Sequence, residues 1–342
     1  MTDPITFVAP TPAIGTTPGR VSPAEVNAMR RVTTTTARWL DAVERAVVGK
    51  RDVLELIVTG LLANGHILLD DLPGVAKTLS ARSLAATAGM RFSRVQFTPD
   101  ILPADITGAM VLDLTTNAAH FQPGPIFAQL VLADEINRAP AKAQAALLEA
   151  MQERQVTVDT ETHILPRPFL VIATQNPVES EGTYPLPEAQ LDRFILRTRI
   201  GYPTPADESE LLAQRIRRRH DDVALDAVMA PDEFLQAQAN VELVHVDPAI
   251  VNYVVAIVGS TRVDSQVDVG ASPRGSLALL KLARASALIR GRDFVTPDDV
   301  RRLAVAALAH RIVLTAEAWA RRTAPESVIE RCAATVAAPT WR

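Results

Sequence analysis

Ile67-Leu68-Leu69-Asp70-Asp71-Leu72-Pro73-Gly74-Val75-Ala76-Lys77-Thr78-Leu79 is the stretch that decides how this chain is read. An apolar run ends in two carboxylates, a Pro-Gly turn follows, and Lys-Thr opens a helix-forming run. That is the order strand, phosphate loop, helix. A nucleotide phosphate loop needs backbone N–H groups turned inward, a lysine for the terminal phosphates and a hydroxyl for magnesium. Gly74, Lys77 and Thr78 supply those parts. In the general G-x-x-x-x-G-K-[ST] pattern, however, the two glycines would fall at Asp71 and Ala76. Taken alone, the stretch reads equally as an ordinary strand-to-helix turn.

The 342 residues provide for two domains, or one large and one small, and 48% hydrophobic with 22% charged residues is the composition of a globular protein. A net charge of −4 argues against general nucleic-acid binding, and 4% aromatic residues leaves little material for base stacking. Cys332 stands alone, which permits no internal disulfide and fits a reducing compartment. No basic-then-apolar leader is visible, and no apolar run approaches the ~20 residues of a membrane span. The expectation is a cytoplasmic protein without a membrane span.

Residues 1–30, rich in Thr, Pro, Ala and Gly, read as a disordered tail. Between 31 and 202, short apolar runs of buried-strand type alternate with helical patterns: Ile67–Leu69, Arg94–Phe97, Phe127–Ala133, Phe169–Ala173 and Ile195–Ile200 are the strands. Alternating segments within 109–121 and 155–165 suggest two hairpins. From 203 to 342 the pattern is helical. The expected class is α/β with a parallel sheet, followed by a small all-α domain.

Ligands of an open parallel sheet gather at the carboxyl ends of its strands. Asp134-Glu135 ends one apolar run, in the same orientation as the loop. Asp134 suits magnesium and Glu135 suits a water-activating base. Asn176 ends another run; it could hold the lytic water or simply mark an Asn-Pro turn. Arg193 lies between a helix and a strand. Arg274 follows Ser272 and Pro273, a good helix start, where a cation opposes the helix dipole. It is therefore a candidate anion ligand, beside the plainer reading of a solvated side chain. The Arg215–His220 cluster reads as a solvated helix end. No HExxH, Cys/His cluster or Gly-x-Ser-x-Gly is present, so neither a zinc site nor covalent catalysis is suggested.

Taken in order, Val47-Val48-Gly49, Gly65 through Thr78, Gln96-Phe97-Thr98-Pro99-Asp100, Gly124-Pro125-Ile126-Phe127, Leu132 through Arg138, Ala173-Thr174-Gln175-Asn176-Pro177 and Leu186 through Phe194 resemble the MoxR family of AAA+ ATPases, in the helix-2-insert clade. The resemblance spans about residues 32–342. It implies a P-loop core of three αβα layers with a helical lid, ATP and Mg2+ as cofactors, and ATP hydrolysis. Lys77 and Thr78 would be the Walker A pair, with Pro73, Gly74, Val75, Ala76 and Leu79 around the phosphates. Asp134 and Glu135 would be Walker B, with Thr78 and Asp134 on the metal. Asn176 would be sensor 1, Arg274 sensor 2 and Arg193 an arginine finger for a neighbour, so a ring, usually hexameric, is implied. Val47, Val48 and Gly49 would line the adenine pocket. The segment 98–125 and the 155–165 hairpin look like the clade's inserts. The partner implied is a client protein to be remodelled, often one with a von Willebrand factor A domain. Asp71 and Ala76 fit a variant loop of this family. Gly275, where Ala is expected, would loosen the first turn by roughly 0.5–1 kcal/mol. Competing readings are a nucleotide-gated binding module with little turnover, a nucleic-acid motor, and a chelatase-like subunit.

Overall fold

The computed structural model of the chain describes residues 22–115, 117–176 and 184–340. Ser22 Oγ accepts the Glu25 N–H while the Glu25 carboxylate accepts the Ser22 N–H, and Pro23 takes the first helical position. This capping box starts α1 (Pro23–Glu44). Residues 23–30, expected in the tail, are therefore helical, and residues 1–21 lie outside the described residues. The signal Ser22-Pro23-Ala24-Glu25 is legible in the sequence, but the apolar stripe that follows it is thin.

Then come α2 (Arg51–Leu62), β1 (His66–Asp70), α3 (Lys77–Thr87) and β2 (Phe92–Gln96). A short α4 (Pro103–Thr107) and the hairpin β3 (Gly108–Asp113) with β4 (Ala118–Pro123) precede β5 (Leu130–Asp134) and α5 (Ala141–Glu153). A second hairpin, β6 (Gln155–Val158) with β7 (Glu161–Ile164), leads to β8 (Leu170–Gln175), α6 (Glu188–Leu191) and β9 (Phe194–Thr198). Beyond the sheet lie α7 (Pro205–Arg218), α8 (Pro231–Val241), α9 (Pro248–Ser260), β10 (Val267–Val269), α10 (Pro273–Ile289), α11 (Pro297–Leu308), β11 (Val313–Leu314), α12 (Ala316–Ala320) and α13 (Pro325–Thr335). This part is helical as expected, with one addition: β10 and β11 pair as a two-stranded antiparallel ribbon.

The core sheet is parallel throughout, in the order β2-β5-β8-β1-β9. Because side chains alternate, each inner strand feeds two cores. Ile67, Leu69, Leu132, Leu170 and Ile172 face α1, α2 and α3, whereas Leu68, Val131, Val171 and Ala173 face α5. Continuous apolar runs are what two covered faces require. Only Val95 is buried in β2, the edge strand, so its other residues are free to be polar. The first core continues without a break into the helical part through Phe234, Leu279 and Leu303. Trp39 fastens this corner: its indole N–H donates to Thr87 Oγ1 at 2.9 Å, and its ring meets Phe234 edge to face at 5.7 Å. Among the described residues, no helix is long and apolar enough to cross a membrane.

Candidate nucleotide site

The carboxyl ends of β1, β5 and β8 bring three of the expected pieces together. After β1 the chain enters the loop 71–76. Gly74 has φ +82°, and a Cβ there would meet nothing, so the requirement is conformational. Ala76 is also left-handed (φ 63°, ψ 24°), which costs an L-residue about 1–2 kcal/mol. It caps α3 through no side chain, and the first turn of α3 carries no acid. The helix thus opens with N–H groups and a positive dipole end available to an anion. Lys77 is buried and donates Nζ to the Asp71 carbonyl at 2.7 Å.

Asp71 has a physical reason to replace the usual glycine. Its carboxylate accepts the N–H groups of Leu72 (3.0 Å), Gly201 (2.8 Å) and Ile200. Its own N–H goes to Gln175 O at 3.1 Å. A glycine could not staple the loop to the segment that joins β9 to α7.

Asp134 is buried at the end of β5. Thr78 Oγ1 stands 3.4 Å from Asp134 Oδ2, and Thr174 Oγ1 donates to Oδ1 at 2.6 Å. Arg94 of β2 gives Nε (3.0 Å) and Nη2 (2.8 Å) to Oδ2. Glu135 is held left-handed (φ 59°), its N–H donating to Thr174 Oγ1 at 2.8 Å. Strain of this kind, about 1–3 kcal/mol, persists only where surroundings enforce it. The Glu135 carboxylate accepts Gln96 Nε2 at 2.7 Å and pairs with Arg138 Nε at 3.1 Å. Asn176 is buried at the end of β8, and its carbonyl accepts Asn137 Nδ2 at 3.3 Å. Pro177 lies outside the described residues. A hydroxyl and a carboxylate at 3.4 Å are hard oxygen donors of the kind magnesium takes, so the set fits a magnesium nucleotide.

Sequence reasoning missed Thr174, Arg94, Gln96 and Arg138. Thr174 had a signal, a hydroxyl inside an apolar strand. Arg94 and Gln96 share one face of β2, but only the strand order places that face beside β5.

On the other side of the loop, Val47 is buried and Val48 half-buried. At Gly49 the left-handed backbone (φ 70°) favours glycine, and a Cβ there would also push aside the Asp207 carboxylate of α7. Lys50 Nζ donates to Tyr202 O at 2.7 Å. A cleft of about 370 Å³ opens beside this segment, lined by Gly49, Arg51, Val53 and Ile200 among others.

The two arginines sit elsewhere. Phe194, first residue of β9, pairs with His66, first residue of β1. Arg193 therefore stands at the amino end of the sheet, about 13 Å or more along the strands from the loop. Arg274 approaches Asp192 Oδ2 at 3.9 Å, at this same end. Asp192 also pairs with Arg311, whose guanidinium donates to the carbonyls of Asp192 (3.0 Å) and Phe194 (2.6 Å). The turn that carries Arg193 is thus clamped by the helical part. At Gly275 a Cβ would come to 3.0 Å from Leu308 Cδ2, so the expected alanine fits only where that side chain gives by a few tenths of an ångström.

Comparison with known proteins bears on the family and the fold. Residues 66–196 match the model of the ATPase family associated with various cellular activities (AAA), and residues 259–332 match the AAA lid domain. The chain is 47% identical to the uncharacterized protein YeaC of Bacillus subtilis, over 89% of this chain and 94% of that protein. It is 45% identical to the chaperone MoxR1 of Mycobacterium tuberculosis, over 89% and 82%. The crystal structure of a putative ATPase from Cytophaga hutchinsonii superposes with a TM-score of 0.87 at 36% identity, covering 93% of this chain and 98% of that one. With a parallel core sheet and a helical part matched by the AAA and AAA lid models, and with 45% identity to a MoxR relative over most of both chains, the chain belongs to the MoxR family of AAA+ ATPases.

Proposed function

We propose that the chain hydrolyses ATP with magnesium, as a ring, to remodel a client protein. The observation that carries this reading is Thr78 Oγ1 3.4 Å from Asp134 Oδ2, with Glu135 next in the chain. Lys77, Thr78 and the amides from Gly74 to Leu79 hold the phosphates; Thr78 and Asp134 hold the metal. Bound magnesium offsets the charge that develops on the phosphates. Glu135 takes the proton of the attacking water, and Asn176 orients that water. Val47, Val48 and Gly49 face the base.

Arg193 and Arg274 support the ring. Both lie at the amino end of β9, while the loop lies past the carboxyl end of β1. Cations so placed serve the phosphates of a neighbouring copy better than their own. The hairpins support a client: Leu112 and Leu114 at one tip and Ile164 on the other hairpin are exposed, and Phe121 stacked on His163 at 3.8 Å joins the two. That the client carries a von Willebrand factor A domain rests on the family resemblance alone.

A mixing experiment tests the scheme. Glu135→Gln and Arg193→Ala should each lower phosphate release by about 10²–10⁴-fold. Mixed, they should recover part of it, because wild-type arginines then meet wild-type acids. Turnover by either variant alone, or no recovery in a co-assembled mixture, contradicts the assignment.

A further inference from the structure

Arg94 sits on the edge strand, and both of its contacts with Asp134 fall on one oxygen. The other oxygen is taken by Thr174. Oδ2 is also the oxygen nearest the Thr78 hydroxyl, so Arg94 covers the side of the carboxylate that faces the loop. As a stabilising surface pair the contact is worth little, since the Arg94 side chain is 47% exposed. For Asp134 the matter is different: its side chain is 9% exposed and a buried carboxylate needs a counter-charge. The two sides of the pair are thus unequal. The acid requires a cation, while the arginine can leave for water at small cost.

We propose that Arg94 is a tethered counter-cation, standing in for magnesium at Asp134 and displaced when a magnesium nucleotide enters. The inference rests on the reading above that Asp134 takes the metal. Oδ2 already carries both Arg94 N–H contacts and the Thr78 contact, so a magnesium ion, or a water of its shell, reaches this oxygen only by displacing the arginine, and each release restores the contact. Arg94 is then a positioning residue that weakens magnesium-nucleotide binding and speeds product release. The bystander Gln96 follows it: Arg94 also donates to Gln96 Oε1, whose amide holds Glu135, so the swing of Arg94 loosens the base at the same moment.

The test is ADP binding to the full chain by calorimetry, with magnesium and with EDTA. Arg94→Met should tighten magnesium-ADP binding fivefold or more, lower the magnesium concentration for half-saturation by a similar factor, and leave binding in EDTA unchanged. Arg94→Lys should lie between. Unchanged or weaker magnesium-ADP binding in both variants overturns the proposal; weaker binding would mean that Arg94 holds phosphate instead. If the wild-type chain binds ADP equally with magnesium and with EDTA, the metal assignment of Asp134 fails first, and that result is read before any variant.

Discussion

Asp71 and Asp134 stand at the ends of two core strands, 5% and 6% exposed, yet they are satisfied in opposite ways. Asp71 accepts three backbone N–H groups, from Leu72, Ile200 and Gly201, which cannot leave without unfolding the loop or the linker. Among the described residues, the Asp134 carboxylate is held by side chains: Arg94, Thr174 and Thr78. Side chains can turn to other partners. The first aspartate is therefore part of the frame, and the second is part of a site whose partners are exchangeable. His66 belongs with the frame, since Nδ1 accepts Val171 N–H at 3.0 Å and Nε2 faces Met151 O at 3.0 Å.

Removing each carboxylate should separate the two classes. Asp71→Ala leaves three backbone donors unpaired, one buried and two partly buried, and is expected to lower stability by about 3 kcal/mol. Asp134→Ala leaves hydroxyls that can rotate and an arginine that can reach water, and should lower it by about 1 kcal/mol or less. Urea unfolding of both variants in the absence of nucleotide measures the difference. Equal losses would erase the distinction.

The parallel core, both hairpins and the acid pair were legible because their signals are local: continuous apolar runs, alternation about a turn, carboxylates at a strand end. The partners of those residues were not legible. Nothing near Arg94 in sequence points to Asp134, because their meeting depends on β2 lying beside β5. The role of Asp71 was hidden for the same reason, its donors at Ile200 and Gly201 being remote in the chain. The start of α1 was written in Ser22-Pro23-Ala24-Glu25 and obscured by the polar composition around it. The placement of Arg193 and Arg274 away from the loop required the β1–β9 register.

Acid offers a second way to probe the frame. Burial, with Arg154 nearby, pushes His66 down to about 3 from 6.5. The unfolded chain protonates this ring near 6.5 while the fold refuses the proton, so its contribution is complete above 6.5 and is lost as pH falls toward 3. Between pH 7 and 5 the loss should be about 2 kcal/mol, before most carboxylates titrate. Burial also drives His310 well below its usual range, which adds to the slope. His66→Gln should flatten the dependence of the unfolding midpoint over this interval. An unchanged slope would place the titration elsewhere.

The smallest effect is expected at Ala76, which lies between the two classes. Its left-handed backbone costs an alanine about 1–2 kcal/mol, and glycine removes that strain while adding freedom to the unfolded chain, by about 0.5–1 kcal/mol. The two terms nearly cancel, so Ala76→Gly should change stability by less than about 1 kcal/mol, in the stabilising direction. What it tests is the loop's allegiance. If the strain is imposed by the frame, through Asp71 on one side and α3 on the other, relieving it leaves ADP affinity within about threefold, because the amides are already aimed. If instead alanine keeps the amides in place against a loop that would relax, glycine should weaken binding by tenfold or more. In that case the loop belongs with the exchangeable site and Asp71 alone cannot hold it.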